Sequence, residues 1–179
     1  MFTYQFISAD KLTDAQKKDI MALLVLTDHE FIPPLSARND TTQKNLAPGS
    51  PSTEVPIKYY ETIIKQEFIL AVSNDHIIGF MSYIPDHVVL DGAQSVIAHY
   101  ITTVIVHPDF RGQGITEGFY RVLFSRFEDK SICTRTWSTN HAHLKILHRL
   151  GFTNILTLKN HRGEGIDTVY YCKTQEKSI

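Results

Sequence analysis

The sequence predicts an α/β (α+β) domain with a sheet of about six to seven strands and about four helices. Apolar residues alternate with polar ones in some segments and recur at helical spacing in others, and the two kinds of segment are interspersed along the chain. The chain has 179 residues, of which 42% are hydrophobic and 21% are charged, a composition that suits a single core. We therefore expect one domain over residues 1–173 and a frayed tail over 174–179.

The first elements follow from local patterns. Residues 3–8 alternate aromatic and polar side chains, as a half-buried strand does. Thr13 and Gln16 have the spacing of a capping box, which predicts that the first helix begins there. Residues 27–56 are interrupted by prolines and predict a long substrate-side loop or lid, and residues 56–65 predict a second helix.

The next patterns predict the strands of the sheet. Apolar runs at 68–72 and 77–84 flank a turn-rich tetrapeptide and predict a hairpin, and a loop is expected over 85–95. Residues 96–106 are β-branched and apolar, which is typical of a central strand covered on both faces. Further along, we expect helices at 115–127 and 140–150 and strands at 131–137, 155–158 and 166–172.

Charge and cysteine usage narrow the classes of function. Lys plus Arg total 18 against 19 for Asp plus Glu, so no broad positive field is available for a nucleic acid. Neither a leader pattern nor a run of about 20 apolar residues is present, so we expect a cytoplasmic protein without a membrane partner. Cys133 and Cys172 lack the number and spacing of a disulfide framework or a zinc site, and we expect buried reduced thiols.

The most informative stretch is a glycine-rich turn. A buried strand ends near Val106, and a helix begins directly after Gly112 and Gly114. Free N–H groups at a helix start attract anions, glycines let phosphate oxygens approach, and Arg111 can add charged hydrogen bonds. Neither a P-loop nor a three-glycine dinucleotide motif is present. A plain strand-to-helix turn is the alternative interpretation.

Two motifs in this half of the chain resemble a known family. Arg111, Gly114 and Thr116 occupy the positions of the signature Arg or Gln, two residues, Gly, one residue, Gly or Ala, with Thr116 departing from it. Residues 137–152 look like the same family's Asn-led helix that ends in Gly-Phe. The sequence thus resembles the GNAT superfamily of N-acetyltransferases over most of residues 3–173, although residues 27–56 match nothing specific. This resemblance implies a mixed, mostly antiparallel sheet with a splayed central strand.

The resemblance also implies how acetyl-CoA binds. The glycine-rich turn would hold the diphosphate, the exposed edge of the central strand would hydrogen-bond the pantetheine arm, and Asn140 would contact the arm from the other side. The residues implied to bind the cofactor are Val104, Ile105, Val106, Arg111, Gly112, Gln113, Gly114, Ile115, Thr116, Asn140, His143 and Leu147.

The chemistry implied is direct attack of a neutral amine on the thioester carbonyl. The family's positions for a general base hold Tyr100 and Thr102 here, and core packing is the alternative role for Tyr100. Leu147 stands where many members have a tyrosine acid. His143 lies four residues earlier on the same helical face and is the substitute candidate. The helix cannot bring its three histidines to one point, so no metal is expected.

The acceptor is left open by the resemblance. Asp28 and Glu30 are candidates to hold a cationic amine and Arg38 to pair with a carboxylate, with solvated loop charges as the alternative. We expect an N-acetyltransferase acting on a small-molecule or peptide amine, and homodimers are common in the family. The competing functions are a catalytically weak or inactive acyl-CoA-binding or sensing module, and a purely structural domain.

Overall fold

The computed structural model describes residues 1–46, 55–90 and 95–174. These residues form seven strands: β1 Thr3–Ile7, β2 Glu67–Ser73, β3 His76–Val88, β4 Ile97–Val106, β5 Ile132–Trp137, β6 Thr153–Leu158 and β7 Thr168–Lys173. They make one sheet in the order β1-β2-β3-β4-β5-β7-β6. Every neighbouring pair is antiparallel except β4 and β5, which are parallel. The predicted fold class is therefore confirmed.

Four α-helices occur in the described part of the chain: α1 Asp14–Thr27, α2 Ile57–Ile63, α3 Ile115–Arg126 and α4 His141–Arg149. The predicted capping box of α1 is present, because Gln16 N donates to Thr13 Oγ1 at 3.2 Å and Thr13 N donates to Gln16 Oε1 at 3.0 Å. Across the described ranges, no helix has the length and apolarity to cross a bilayer.

The helices cover opposite faces of the sheet. Phe119 of α3 and Leu147 of α4 are fully buried in one cluster together with Ile101 of β4. Leu24 of α1 and Tyr59 of α2 are fully buried in the other cluster, which includes Ile105 of β4. In a regular strand, two residues an even number of positions apart share a face. Because Ile101 and Ile105 face opposite ways, β4 must contain an irregularity between them.

That irregularity is a bulge at Thr102. Ser82 of β3 pairs with Thr103 and Tyr83 pairs with Ile101, so Thr102 has no position opposite it in the register. A bulge inserts one extra residue and reverses the face of everything beyond it. The half of β4 that leads to the glycine-rich turn is therefore turned over relative to the half before Thr102.

Some sequence-based boundaries differ from the structure. The predicted loop 85–95 begins too early, because β3 continues to Val88. The register shifts between Ile84 and His87, and Asp86 has a φ of 45°, so the strand accommodates Pro85, which has no N–H to donate, through a local kink. Residues 47–54 of the predicted lid and 175–179 of the predicted tail lie outside the described residues.

The expectation of reduced thiols is wrong. Cys133 and Cys172 form a disulfide, with their Cα atoms 4.1 Å apart. They occupy directly opposite positions on β5 and β7. The two residues are 39 positions apart in the sequence, and nothing in that spacing fixes the register that brings them together.

Candidate functional site

The turn between β4 and α3 presents an open surface formed by glycine backbone. Gly112 and Gly114 have φ angles of 75° and 76°, in the left-handed region that favours glycine. Gly114 is the N-cap of α3, so the first N–H groups of the helix lie beside it. A Cβ atom at either glycine would meet no other atom within 4 Å. The space next to these amides is therefore free for a ligand.

The sheet opens between β4 and β5. These parallel strands pair only at His99 with Ile132, Tyr100 with Cys133, and Ile101 with Thr134. Beyond that point β4 continues to Val106, paired with β3 on its other side. A cavity of about 570 Å³ occupies the gap. The central strand is thus splayed from its neighbour, with one edge of its second half facing the cavity.

The cavity brings together most of the residues expected to bind the cofactor. Gln113 does not line it and is exposed on the turn, and Leu147 does not line it because it is fully buried in the core. The expected residues that do line the cavity are Val104, Ile105, Val106, Arg111, Gly112, Gly114, Ile115, Thr116, Asn140 and His143.

Arg111 is held at the mouth of the cavity by two partners. Its Nε donates to the Val106 carbonyl at 3.1 Å, and its Nη2 lies 2.8 Å and 3.0 Å from the carboxylate oxygens of Glu30. Glu30, which the sequence suggested for the acceptor amine, thus lies at the glycine-rich turn instead. Both side chains are about half exposed, so the ion pair is weak and its carboxylate competes with any anion that approaches Arg111.

Replacing Glu30 by glutamine is expected to tighten acetyl-CoA binding by about 2- to 10-fold, because the substitution removes a negative charge beside the turn that is expected to hold the diphosphate. Isothermal titration calorimetry at low salt measures the change. Asp109→Asn is the control, since Asp109 is an exposed acid of the same turn that does not contact Arg111. Weaker binding by the Glu30 variant would show that the ion pair orients Arg111 rather than opposing the ligand.

The other two proposed substrate residues are buried. The carboxylate of Asp28 accepts hydrogen bonds from the backbone N–H and the hydroxyl of Ser36, at 2.6 Å and 2.7 Å. Asp28 therefore fixes the loop that follows α1, and its two oxygens are already engaged. Arg38 is only 6% exposed and donates to the carbonyls of Ile32 and Pro33. Its guanidinium packs against the ring of Phe31, which lines the cavity.

The two general-base candidates on β4 do not line the cavity. Tyr100 is buried, which raises its pKa, and its ring stacks on that of His87. The Thr102 hydroxyl, at the bulge, lies 2.5 Å from Gln66 Oε1 and 2.8 Å from the Ser82 hydroxyl. It is Thr103, the next residue, that reaches the cavity. No local sequence pattern predicts the bulge, yet the bulge determines which β4 side chain faces the cavity.

His143 is part of a hydrogen-bonded pair on the opposite wall. Its Nε2 lies 2.7 Å from the hydroxyl of Tyr120, which is fully buried. Burial lowers the pKa of His143 to about 4, and burial raises the pKa of Tyr120. At neutral pH the pair is therefore uncharged. Within the described ranges, no group of histidine, cysteine or carboxylate side chains is arranged to hold a metal ion.

The low pKa of His143 predicts a loss of stability in acid. Below about pH 6.5 the unfolded chain protonates this imidazole, whereas the folded protein does so only near pH 4. The free energy of unfolding should therefore fall as the pH is lowered from about 6.5 to about 4. In urea unfolding at pH 7 and pH 5, His143→Gln should lose less stability between the two values than the wild type. Exposed His141→Gln is the control, and equal losses in all three proteins would contradict the prediction.

Some cavity residues were missed by sequence reasoning. Thr103, Arg135 and Trp137 line the cavity, but the sequence predicts a place in the site for none of them, although Trp137 begins the second motif. Arg135 and Trp137 alternate along β5, so the two-residue period could have placed them on one face. That period could not have predicted that β5 is the strand across the gap from β4.

The sequence matches a known protein family, and the fold is similar to those of solved structures. The sequence profile described as the acetyltransferase (GNAT) family matches residues 39–152. No curated protein matches the sequence significantly. Among solved structures, a GNAT-family protein from Desulfovibrio desulfuricans is similar with a TM-score of 0.68 at 12% identity, covering 98% of this chain and 100% of that one.

Two further structures show the same likeness. The aminoglycoside 6′-N-acetyltransferase of Enterococcus faecium has a TM-score of 0.65 at 14% identity, covering 98% of this chain and 99% of that one. The yncA protein of Salmonella typhimurium, solved with its cofactor acetyl-CoA, has a TM-score of 0.61 at 18% identity, covering 100% of this chain and 96% of that one. At these identities the similarity shows a shared fold.

Proposed function

Because the chain belongs to the acetyltransferase (GNAT) family, we propose that it is an acetyl-CoA-dependent N-acetyltransferase that acts by direct attack of an amine on the thioester. The observation that carries this proposal is the cavity in the split between β4 and β5, with the Arg111–Gly114 turn at one end. The split exposes the edge of a strand, and the turn exposes the amides of a helix start. A long ligand with a diphosphate at one end fits both features.

The residues present fit coenzyme A. The amides beside Gly112 and Gly114 face open space that a Cβ atom would begin to fill, so phosphate oxygens can approach them closely. Arg111 supplies a guanidinium at the same place. The edge of Val104–Val106 offers backbone groups to an amide-containing arm, as an added strand would. When bound, acetyl-CoA supplies an acetyl group activated as a thioester.

The chain's own residues must also manage protons. As the acceptor nitrogen bonds to the acetyl carbon, the carbon–sulfur bond breaks, the nitrogen loses a proton and the departing sulfur gains one. His143 lines the cavity and is fixed by Tyr120, which makes it the best-placed group to exchange a hydrogen bond with the sulfur. Because His143 is neutral, its proposed role is to orient the reacting groups and to relay a proton rather than to supply a positive charge.

The test of this function is release of free thiol from acetyl-CoA in the presence of a panel of amines. Turnover with any amine at a rate above acetyl-CoA hydrolysis supports the proposal. His143→Ala is expected to lower kcat with little change in the affinity for acetyl-CoA. If acetyl-CoA leaves both the melting temperature and the backbone amide spectra of residues 111–116 unchanged, the proposed site is wrong.

The second candidate function is an acyl-CoA-binding or sensing module. Two observations favour it. Tyr100 and Thr102 do not line the cavity, and His143 is a weak base. Such a module would be stabilised by acetyl-CoA without consuming it, so the thiol assay and a thermal shift together separate the two functions. A cytoplasmic location, a homodimer and the lack of nucleic-acid or membrane partners remain predictions from the sequence.

A further inference from the structure

Three arginines from separate segments meet beside the cavity. Arg38 lies in the loop between α1 and α2, Arg135 lies on β5, and Arg162 lies in the turn between β6 and β7. Arg38 Nη2 and Arg162 Nη1 both donate to the carbonyl of Ile32, at 3.4 Å and 2.6 Å. Arg135 lies within the electrostatic reach of both. We call these three residues the arginine cluster.

No carboxylate neutralises the arginine cluster within the described ranges. None of the ion pairs found there includes Arg38, Arg135 or Arg162. Asp28 acts on Arg38 from a distance, but its oxygens are bonded to Ser36. The exposed fractions of Arg38 and Arg162 are only 6% and 3%. A buried charge is costly unless an opposite charge or several hydrogen bonds compensate it.

The crowding of like charges contributes to a lowered pKa in two of the three arginines. The pKa of Arg135 is instead raised, because burial, which lowers it, is outweighed by the neighbours Tyr100 and Tyr170. Burial, followed by the charges of Arg38 and Arg135, lowers the pKa of Arg162 to about 9. Burial and the charge of Arg135 lower the pKa of Arg38 to about 10. Neighbouring tyrosines are the main groups that oppose these two shifts. An anion placed near the three guanidiniums would raise the pKa values of both Arg38 and Arg162.

The arginine cluster lies on the face of the sheet opposite α3 and α4. Thr134 and Thr136 of β5 contact Tyr120 and the Asn140 side chain, on the face covered by α3 and α4. Arg135 and Trp137 alternate with these threonines and so point to the other face. That face is where the loop after α1 closes over the sheet, since Arg135 Nη2 donates to the Thr41 carbonyl at 3.4 Å.

Aromatic rings connect the arginine cluster to the cavity wall. Phe31 and Trp137 both line the cavity, with ring centroids 5.8 Å apart. The guanidinium of Arg38 lies 5.6 Å from the Phe31 ring, and that of Arg162 lies 5.5 Å from the Trp137 ring. Arg135 lines the cavity itself. Arg38 and Arg162 do not line the cavity, so a ligand in contact with these rings would meet the guanidinium of Arg135, with the charges of the other two arginines behind the rings.

Resting on the proposed function, we infer that the acceptor is an amine that also carries a carboxylate, and that Arg135 binds this carboxylate while the charges of Arg38 and Arg162 add to the attraction. The planar fork of arginine matches a carboxylate in geometry and charge. The hydrogen bonds to loop carbonyls and to the hydroxyls of Tyr170 and Thr168 leave N–H groups of each guanidinium unused. A singly charged carboxylate loses less hydration energy in this aromatic setting than a phosphate dianion. A polycationic acceptor, such as an aminoglycoside, would be repelled.

The test uses the fluorescence of Trp137, because the chain has a single tryptophan. Titration of the full chain, in the presence of coenzyme A, with N-acetylleucine and N-acetylleucinamide compares two product-like probes that differ in one charge. The acid is expected to bind about 10-fold or more tightly than the amide. Equal affinities, or tighter binding of the amide, would overturn the inference. So would inorganic phosphate binding as tightly as the acid.

Variants separate ligand binding from loop tethering. Arg135→Met should abolish the preference for the acid, because the Arg135 hydrogen bonds to protein, at 3.4 Å, are long and contribute little to folding. Arg135→Lys keeps the charge without the fork and should retain part of the preference. Exposed Arg126→Met, which removes an equal charge far from the cluster, should leave it intact. An unchanged preference in Arg135→Met overturns the inference.

The binding measurement does not require acetyl transfer, so it is independent of the proposed function. A protein that binds the acid preferentially but never releases thiol is a binding module with the inferred specificity. A protein that acetylates an aminoglycoside faster than leucine is an enzyme whose acceptor contradicts the inference. Acetylation of leucine at the higher rate, lost in Arg135→Met, is the result expected if both proposals hold.

Discussion

Gly114→Val is expected to weaken acetyl-CoA binding by at least about 100-fold, as measured by titration calorimetry. Two effects add. Gly114 has a φ of 76°, which strains any β-branched residue, and its missing side chain leaves the space that a diphosphate would occupy. Losing two charge-assisted hydrogen bonds at about 1.5–3 kcal/mol each is enough for this change in affinity. Arg111→Ala, which leaves the backbone intact, should have a smaller effect.

Gly151→Val is the matched control for the backbone strain. Gly151 follows α4, has a φ of 81°, and also has no atom within 4 Å of an added Cβ, but it does not line the cavity. Both variants should lose a similar amount of stability, about 1–3 kcal/mol. Only Gly114→Val should lose the ligand. If the two variants bind acetyl-CoA equally well, the turn is a plain connection between strand and helix.

Gly79→Ala is expected to destabilise the fold by about 1–3 kcal/mol, which lowers the melting temperature by about 2–12 °C. Gly79 lies on β3 opposite Val106, and an added Cβ would lie 2.8 Å from the Ile105 carbonyl oxygen and 3.2 Å from the Val106 Cα. Alanine in a strand normally stabilises by about 0.5–1 kcal/mol relative to glycine. Here the obstacle is backbone, so β3 and β4 must separate where β4 borders the cavity.

Gly118 of α3 provides the contrast. A Cβ there would meet the Tyr4 hydroxyl, which donates to the Ile115 carbonyl, and Tyr4 is a side chain that a second substitution can remove. Gly118→Ala should destabilise the wild type but stabilise a Tyr4→Ala background, as helix propensity predicts. Gly79→Ala should be destabilising in both backgrounds. A melting temperature at or above that of the wild type for Gly79→Ala would contradict the proposed clash.

The sequence predicted those features that depend on neighbours along the chain. The capping box at Thr13 and Gln16 and the glycine-rich turn after β4 are local patterns, and the structure contains both. The disulfide and the arginine cluster depend on strand register and on the path of loops. Arg38 and Arg162 meet at one carbonyl although they are far apart in the sequence, so no local pattern could have paired them.

The bulge at Thr102 shows how one unpredicted residue changes a site. A strict two-residue period treats Tyr100 and Thr102 as one face of a regular strand and extends it to the residues beyond. The structure inserts an extra residue, so that Thr103 lines the cavity and Ile105 lies on the opposite face from Ile101. Bulges arise from the fit between two strands, which a single strand's sequence does not encode.

The split between β4 and β5 also has a consequence for the aggregation tendency of this protein. A strand edge with free hydrogen-bonding groups ordinarily attracts other polypeptides and starts aggregation when it lies at the rim of a sheet. Here the open edge of Val104–Val106, whose Val106 carbonyl accepts a hydrogen bond from Arg111, lies inside the sheet, with β5 and α4 across the gap. At this position the edge is not presented at the rim of the sheet, where another chain could add to it. Enclosure within the sheet thus lowers the tendency of this edge to start aggregation.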